Sequence, residues 1–319
     1  MNIPSLEIIE PGPLATVQDR GRPGYQHLGV PVSGAADLYA LRIGNLLVGN
    51  DPFDASLEIT LGRFRAQFLR DTTFAVTGSN SSVFLNRTPI PTWRALKARR
   101  GQTIQLLQTE LGFRHYLVLG GGIRVPLVLN SRSTYLRGKF GGFEGRALKA
   151  GDVLHTGPEA TEPLPARYPR HLIPPYSPNP QLRVILGPQD SAFSQRGIET
   201  FITSAFSLTD RADRMGCRLA GPPIEHQRAP DILSDGVAMG AIQVPGNGQP
   251  LILLADRPTT GGYAKIANVI AADIPLIAQA LPGARITFKV ISFHDAREIY
   301  LHKEFAIRRF LAGDEKAEA

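Results

Sequence analysis

The stretch LLADRPTTGGYAKIA, residues 253–267, ends an apolar run on Asp256 and Arg257, then supplies two threonines, two glycines and Tyr263. A carboxylate, a guanidinium, hydroxyls and a phenol stand close together there, and paired glycines let a backbone approach a ligand closely. Near the N-terminus TVQDRGRPGYQHLG repeats the order, with Asp19-Arg20, glycines, then Gly24-Tyr25. Further glycine-rich polar turns occur in SRSTYLRGKFGGFEGRAL (131–148), GPQD (187–190) and DRMGCRL (213–219). In FGGFEGR the functional groups would be Glu144 and Arg146; in TTGGY they would be Thr259, Thr260 and Tyr263. Turns of this kind hold carboxylates and phosphates by backbone amides and arginine forks. Two similar turns read as structural: VPGNGQP (244–250) as a hairpin, with Asn247-Gly248 at its tip, and KAGDVL (149–154) as a turn into a strand. The chemistry legible at this level is an anion-capable polar cleft.

Several standard chemistries are absent. The sequence has no glycine loop ending in Lys-Ser or Lys-Thr, no His-Glu-x-x-His, no Gly-x-Ser-x-Gly and no acidic calcium loop. Its seven histidines are dispersed without metal-ligand spacing, so no metal site is expected. One cysteine, Cys217, permits neither an internal disulfide nor a cysteine zinc cage, and points to a reducing compartment. Flanking Arg214 and Arg218 could activate its thiol, but a lone cysteine reads as a small apolar residue.

The elements that must position these turns are mainly strands. LEITL, TTFAVTG, SSVFLN, QTIQLLQ, HYLVLGGG, QLRVILG, IQVP, LILLA and RITFKVISF are short, β-branched or aromatic, and bounded by glycine, proline or asparagine. Helical spacing predicts a helix in DLYALRIGNLLVGN, capped by Asp37, a second in DIPLIAQALPG, opened by Asp273 and Pro275, and a third in AREIYLHKEFAIRRFLAG. The segment after Tyr263 is expected to turn helical. Glycine and proline together make 58 of 319 residues, which implies many turns. Prolines crowd residues 157–181 and mark a linker between a first half, 1–165, and a second, 180–319. At 43% hydrophobic the chain can bury sizeable cores. The +7 charge is scattered in pairs rather than gathered into a basic face, so nucleic acid is not an expected partner. The N-terminus lacks a basic leader and no long apolar run occurs, so a cytoplasmic protein without a membrane partner is expected.

The segments TVQDRGRPGYQHLGVPVSGAAD, LRIGNLLVGND, SRSTYLRGKFGGFEGRALKAGD, DRMGCRLAGPPI and SDGVAMGAIQVPGNGQPLILLADRPTTGGYAKIANVI together resemble the KipA family, also called allophanate hydrolase subunit 2 or the biotin-dependent carboxyltransferase family. The match runs from about residue 7 to about residue 290 in order. The resemblance implies a mainly β fold of two cyclophilin-like β-barrel halves with some helix. Its bacterial members include the C subunit of the ATP-dependent 5-oxoprolinase, which opens 5-oxoproline to L-glutamate. That implies ATP as a co-substrate of the complex, a KipI-like B subunit and a LamB/YcsF-type A subunit as partners. The alternatives within the family are a carboxyltransferase component of a biotin-dependent, urea carboxylase-like system, and a non-catalytic regulator that binds a KipI-like inhibitor. On the matching turns the resemblance implies Asp19, Arg22, Asp256 and Tyr263 as catalytic. Tyr25, Gln243, Thr259 and Thr260 would bind substrate, with Arg146 and Arg214 as anion clamps. Pro258 stands where the family pattern often has glutamine, and Cys217 where an aromatic or aliphatic residue is usual.

Overall fold

The computed structural model describes residues 2–109, 111–159 and 167–312. The chain divides into two compact units: residues 1–22, 33–174 and 306–319 form the first, and residues 23–32 and 175–305 the second. Part of the proline-rich linker segment, residues 160–166, lies outside the described residues.

The first unit contains two antiparallel sheets. One has six strands in the order Val153–Thr156, Ile3–Glu10, Phe64–Phe68, Thr103–Leu106, Val83–Leu85 and Thr88–Ile90. The other has five, in the order Leu14–Gln18, Ser56–Thr60, Leu111–Leu119, Thr72–Asn80 and Ala95–Ala98. Their alternating apolar residues, among them Leu6, Ile8, Val17, Ile59, Phe64 and Phe74, share one core. The helix Leu38–Leu47 begins as expected: the Asp37 carboxylate accepts a hydrogen bond from the Ala40 amide at 2.9 Å. Gly44 lets it lie close on the five-stranded sheet, since a Cβ there would sit 2.7 Å from the Val118 side chain. Beneath it, buried Tyr116 donates to Glu58 at 2.7 Å and accepts from the Asp37 amide at 2.8 Å. Burial raises the Tyr116 pKa well above its ordinary value, so the phenol stays a donor.

His115 sits fully buried in the strand Leu111–Leu119, with Nε2 2.5 Å from the Ser81 hydroxyl. Burial pushes its pKa from 6.5 down to about 4. The folded chain therefore keeps the imidazole neutral where the unfolded chain is already protonated. Its contribution to stability is complete above pH 6.5 and is lost as the pH falls toward about 4. Urea unfolding across that interval is expected to give a steeper loss for the natural chain than for His115→Gln; parallel slopes would contradict this.

The second unit is built on a closed seven-stranded barrel. Its strands follow the order Gln181–Leu186, Lys265–Val269, Ala241–Gln243, Leu251–Leu253, Gly216–Ala220, Phe206–Leu208 and Arg285–Val290. The last strand returns to pair with the first in parallel, with Gln181 opposite Thr287 and Val184 opposite Val290. Closure leaves no open edge on the ring. Leu182, Val184, Phe206, Ile242, Ile252, Ile266 and Phe288 fill the core, and Cys217 is buried among them as a small apolar residue. VPGNGQP is the expected hairpin: Ile242 pairs with Ile252 across it, and Gly248 takes the positive φ of 73°.

Each of the nine quoted strand segments contains a strand, and the mainly β fold is confirmed. Two local expectations are corrected, and one element is added. The residues after Tyr263 are not helical; Lys265–Val269 is a barrel strand between two others. The helix Ile274–Ala278 spans one turn, and Asp273 does not cap it: its carboxylate instead takes the Arg183 backbone amide and guanidinium, each at 2.9 Å. A further helix, Gln195–Thr203, opens on Ser194, whose hydroxyl accepts from the Gly197 amide at 3.0 Å.

Candidate functional site

In the first unit the strand Leu14–Gln18 runs directly into Asp19. The Asp19 carboxylate is buried and surrounded by donors. Gly21 N–H and Ser131 Oγ lie at 2.7 Å, Arg132 N–H at 2.6 Å, and the Ser133 hydroxyl donates as well. Sequence distant by more than a hundred residues is thus tied to the turn by one carboxylate, and SRS (131–133) is its receptor. Arg22 follows, 1% exposed, donating to the Ser133 carbonyl with its guanidinium 5.0 Å from the centre of the Phe140 ring. Gly141 makes room for it: a Cβ there would fall 2.8 Å from the Arg22 Nη2. Asp19 and Arg22 are therefore brought together, in a knot whose carboxylate spends its lone pairs on the protein.

The anion clamp that the resemblance implies at Arg146 is not open. Its guanidinium forks onto Asp152, at 2.7 and 2.9 Å, and reaches Glu144 at 3.0 Å. Hydrogen bonding from Arg146 holds the Asp152 carboxyl below its ordinary range. The arginine fastens the KAGDVL turn, its N–H fork donating to the chain's own Asp152 and Glu144.

In the second unit the strand Leu251–Leu253 leads into Asp256, 5% exposed. Arg214, 6% exposed and the other implied clamp, is bound to that carboxylate at 2.9 and 3.1 Å. Its backbone carbonyl also accepts from the Asp256 amide at 2.8 Å. The pair joins DRMGCRL to ADRPTTGGY, so both quoted turns belong to one assembly. The parallel with Asp19 extends to place, a buried carboxylate just past a strand, and stops at partners: hydroxyls and amides in one case, a guanidinium in the other.

Past Asp256 the chain makes a turn and enters the strand Thr260–Tyr263, which pairs with Asp231–Gly236 in a two-stranded ribbon. Thr259 is half-buried, while Thr260 and Tyr263 are exposed. Gln243, 3% exposed, lies under the ribbon: its Nε2 is 3.3 Å from the Tyr263 carbonyl, and a Cβ on Gly261 would come within 2.5 Å of it. Tyr25 is half-buried in the segment Pro23–Val32, before the short 3-10 turn Gln26–Leu28.

Two cations at this end of the barrel, neither of them among the expected site residues, join the site. Lys265 stands opposite Gln243 in register, 5% exposed, and its ammonium binds Asp235 at 2.6 Å and the Gly236 carbonyl at 3.1 Å. Arg257 is 8% exposed and donates to the carbonyls of Val237 at 2.9 Å and Leu254 at 3.3 Å. Gln243, Lys265, Arg257, Thr259, Thr260 and Tyr263 thus share one neighbourhood rich in donors. That arrangement can hold and polarise a carbonyl group and bind a carboxylate. A pocket of about 290 Å³ elsewhere in this unit, lined by Thr209, Arg218, Asn247 and Gln249 among others, contains none of the expected residues. No cluster of potential metal ligands occurs among the described residues, and none of their helices is long and apolar enough to cross a membrane.

Residues 28–290 match the family described as the carboxyltransferase domain, subdomain A and B. The chain is 39% identical to the C subunit of the 5-oxoprolinase of Escherichia coli (strain K12), over 91% of this chain and 93% of that protein. It is 36% identical to the corresponding 5-oxoprolinase C subunit of Haemophilus influenzae, over 98% and 99%. Among solved structures, the Kluyveromyces lactis urea amidolyase superposes with a TM-score of 0.92 at 32% identity; the match covers 97% of this chain and 20% of that one.

Proposed function

Because this chain belongs to the carboxyltransferase domain family, subdomain A and B, we propose that it serves as the C subunit of an ATP-dependent 5-oxoprolinase, converting 5-oxo-L-proline to L-glutamate. One observation carries the reading: the two relatives of that name match 91% and 98% of this chain and 93% and 99% of their own length. The partners proposed are a KipI-like B subunit and a LamB/YcsF-type A subunit, with the cytoplasm as the compartment.

A lactam is a stable amide, and opening it requires a better electrophile than its resting carbonyl. ATP, as co-substrate of the complex, supplies that by phosphorylating the carbonyl oxygen and leaving as ADP; water then attacks the carbon, the C–N bond breaks to leave an acyl phosphate, and a second water releases phosphate and the free carboxylate. The ring nitrogen takes a proton as it leaves. Donors grouped near one another suit the charge that develops on the oxygen. In this reading Gln243, Thr259, Thr260 and Tyr263 contact the substrate. Asp19, Arg22, Asp256 and Arg214 hold the turns in place, since their charged groups are engaged with each other, with serine hydroxyls or with the backbone. Tyr25 remains a proposed substrate contact, whereas Arg146 is assigned to the turn it fastens.

The test is co-expression with candidate A and B subunits, following glutamate and ADP release from 5-oxo-L-proline. Release that requires all three chains is the expected result; a stable complex without release would count against it. The likeness to urea amidolyase supports a second reading, transfer of a carboxyl group from carboxybiotin to a urea-like acceptor. Lactam, urea and biotin each place a carbonyl beside N–H, so one donor set suits all three. Carboxylation of urea in the presence of a biotin carboxylase and a biotin carrier would favour it. A regulator without catalysis is distinguished by pairing with the B subunit while supporting neither reaction.

A further inference from the structure

The buried cations of the second unit are not equally neutralised. Arg214 has the Asp256 carboxylate, Lys265 has Asp235, and the partly buried Arg183 has Asp273. Arg257 has no carboxylate among the described residues, only the carbonyls of Val237 and Leu254. A guanidinium carries five N–H donors; the two hydrogen bonds leave the others unused, on a group only 8% exposed. Burying a charge without a counter-ion is costly, and such an arrangement is retained where a ligand supplies the missing charge. Burial as the cause of a lowered Arg257 pKa agrees with this deficit.

We infer that Arg257 is the docking group for a ligand carboxylate. Resting on the oxoprolinase reading, that carboxylate is the one on the 5-oxo-L-proline ring. It would supply the counter-ion the protein withholds, leaving the lactam end to the neighbouring donors Thr259, Thr260, Tyr263 and Gln243. A carboxylate fits better than a phosphate. The turn joins two strands, Leu251–Leu253 and Thr260–Tyr263, and offers neither a helix N-terminus nor a glycine cradle of amides of the kind phosphate sites use. The two carbonyl contacts fix the plane of the guanidinium before the ligand arrives, so little ordering is needed on binding.

The experiment compares 5-oxo-L-proline with 2-pyrrolidinone, the same lactam without the carboxylate, by calorimetry on the co-purified complex. A charged hydrogen bond in a buried site predicts that the natural protein prefers the acid by roughly ten- to a hundredfold. Arg257→Gln is expected to reduce that preference to near unity, and Arg257→Lys, which keeps the charge but not the fork, to retain part of it. Equal binding of the two compounds by the natural complex would overturn the inference without any variant. So would an unchanged preference in a folded Arg257→Gln protein, a failure to bind either compound, or displacement of 5-oxo-L-proline by a non-hydrolysable ATP analogue that depends on Arg257. If the preference holds but no glutamate is released, the oxoprolinase reading fails while the carboxylate site stands.

Discussion

Replacing Asp256 with alanine is expected to destabilise the second unit by about 3–5 kcal/mol, the usual effect of stripping one partner from a buried ion pair. The loss does not come from the pair itself, whose attraction roughly offsets the desolvation of both ions. It comes from Arg214, which stays 6% exposed and fully charged once the carboxylate it binds is gone. Urea unfolding followed at pH 7 reads this directly. Asp256→Asn, which keeps two polar atoms at the same place, is expected to fall between, and the double variant Arg214→Met with Asp256→Leu to recover most of the stability. If Asp256→Asn instead keeps the natural stability and abolishes glutamate release, the carboxylate takes part in the chemistry and the positioning role is wrong.

Asp19→Ala is expected to be of similar size in the first unit, for a different reason. Four donors converge on that carboxylate, from Gly21, Ser131, Arg132 and Ser133. Each hydrogen bond to a charged group contributes about 1.5–3 kcal/mol, and donors left buried without an acceptor incur a further cost. A loss of about 3 kcal/mol or more follows, with the turn from Gly21 to Arg22 released from the SRS segment. Proteolysis should then cut near residues 19–22 or 131–133 under conditions where the natural chain resists, and Asp19→Asn should restore only part of the protection. Unaltered protection would mean that the turn is held by other contacts.

The two carboxylates also show what a sequence can disclose about a site. Their importance is legible, because Asp-Arg followed by glycines at a strand end has few uses. Their partners are not, because Ser131–Ser133 and Arg214 lie far along the chain and nothing local announces that they point at an aspartate. The engagement of Arg146 and Arg214 is hidden for that reason: an arginine in a glycine-rich turn looks the same whether its fork is open or already bound by Asp152 or Asp256. Arg257 is visible in the sequence only as one guanidinium in a polar turn, for the converse reason: its distinction is a missing counter-ion. The strands are readable from β-branched runs between turn residues. Lys265–Val269 escapes because it is buried on both faces, so the alternation that identifies a strand is absent, and alanine beside isoleucine mimics a helix. The helix Gln195–Thr203 is hidden by its own Gly197 and by threonines that favour strands, although Ser194 is the signal that could have found it.

The parallel seam between Gln181–Leu186 and Arg285–Val290 has a consequence for the history of the molecule as it is made. The strand that completes the ring is the last to be synthesised, roughly a hundred residues after the strand it must join. Until it emerges from the ribosome, the nascent second unit has two bare strand edges and an apolar lumen without its final wall. So long a closure is entropically slow, and the unit is most exposed to aggregation and to chaperones in that interval. A chain halted shortly before residue 285 would lack the closing strand altogether, and such products should be cleared or captured while those ending beyond residue 290 accumulate.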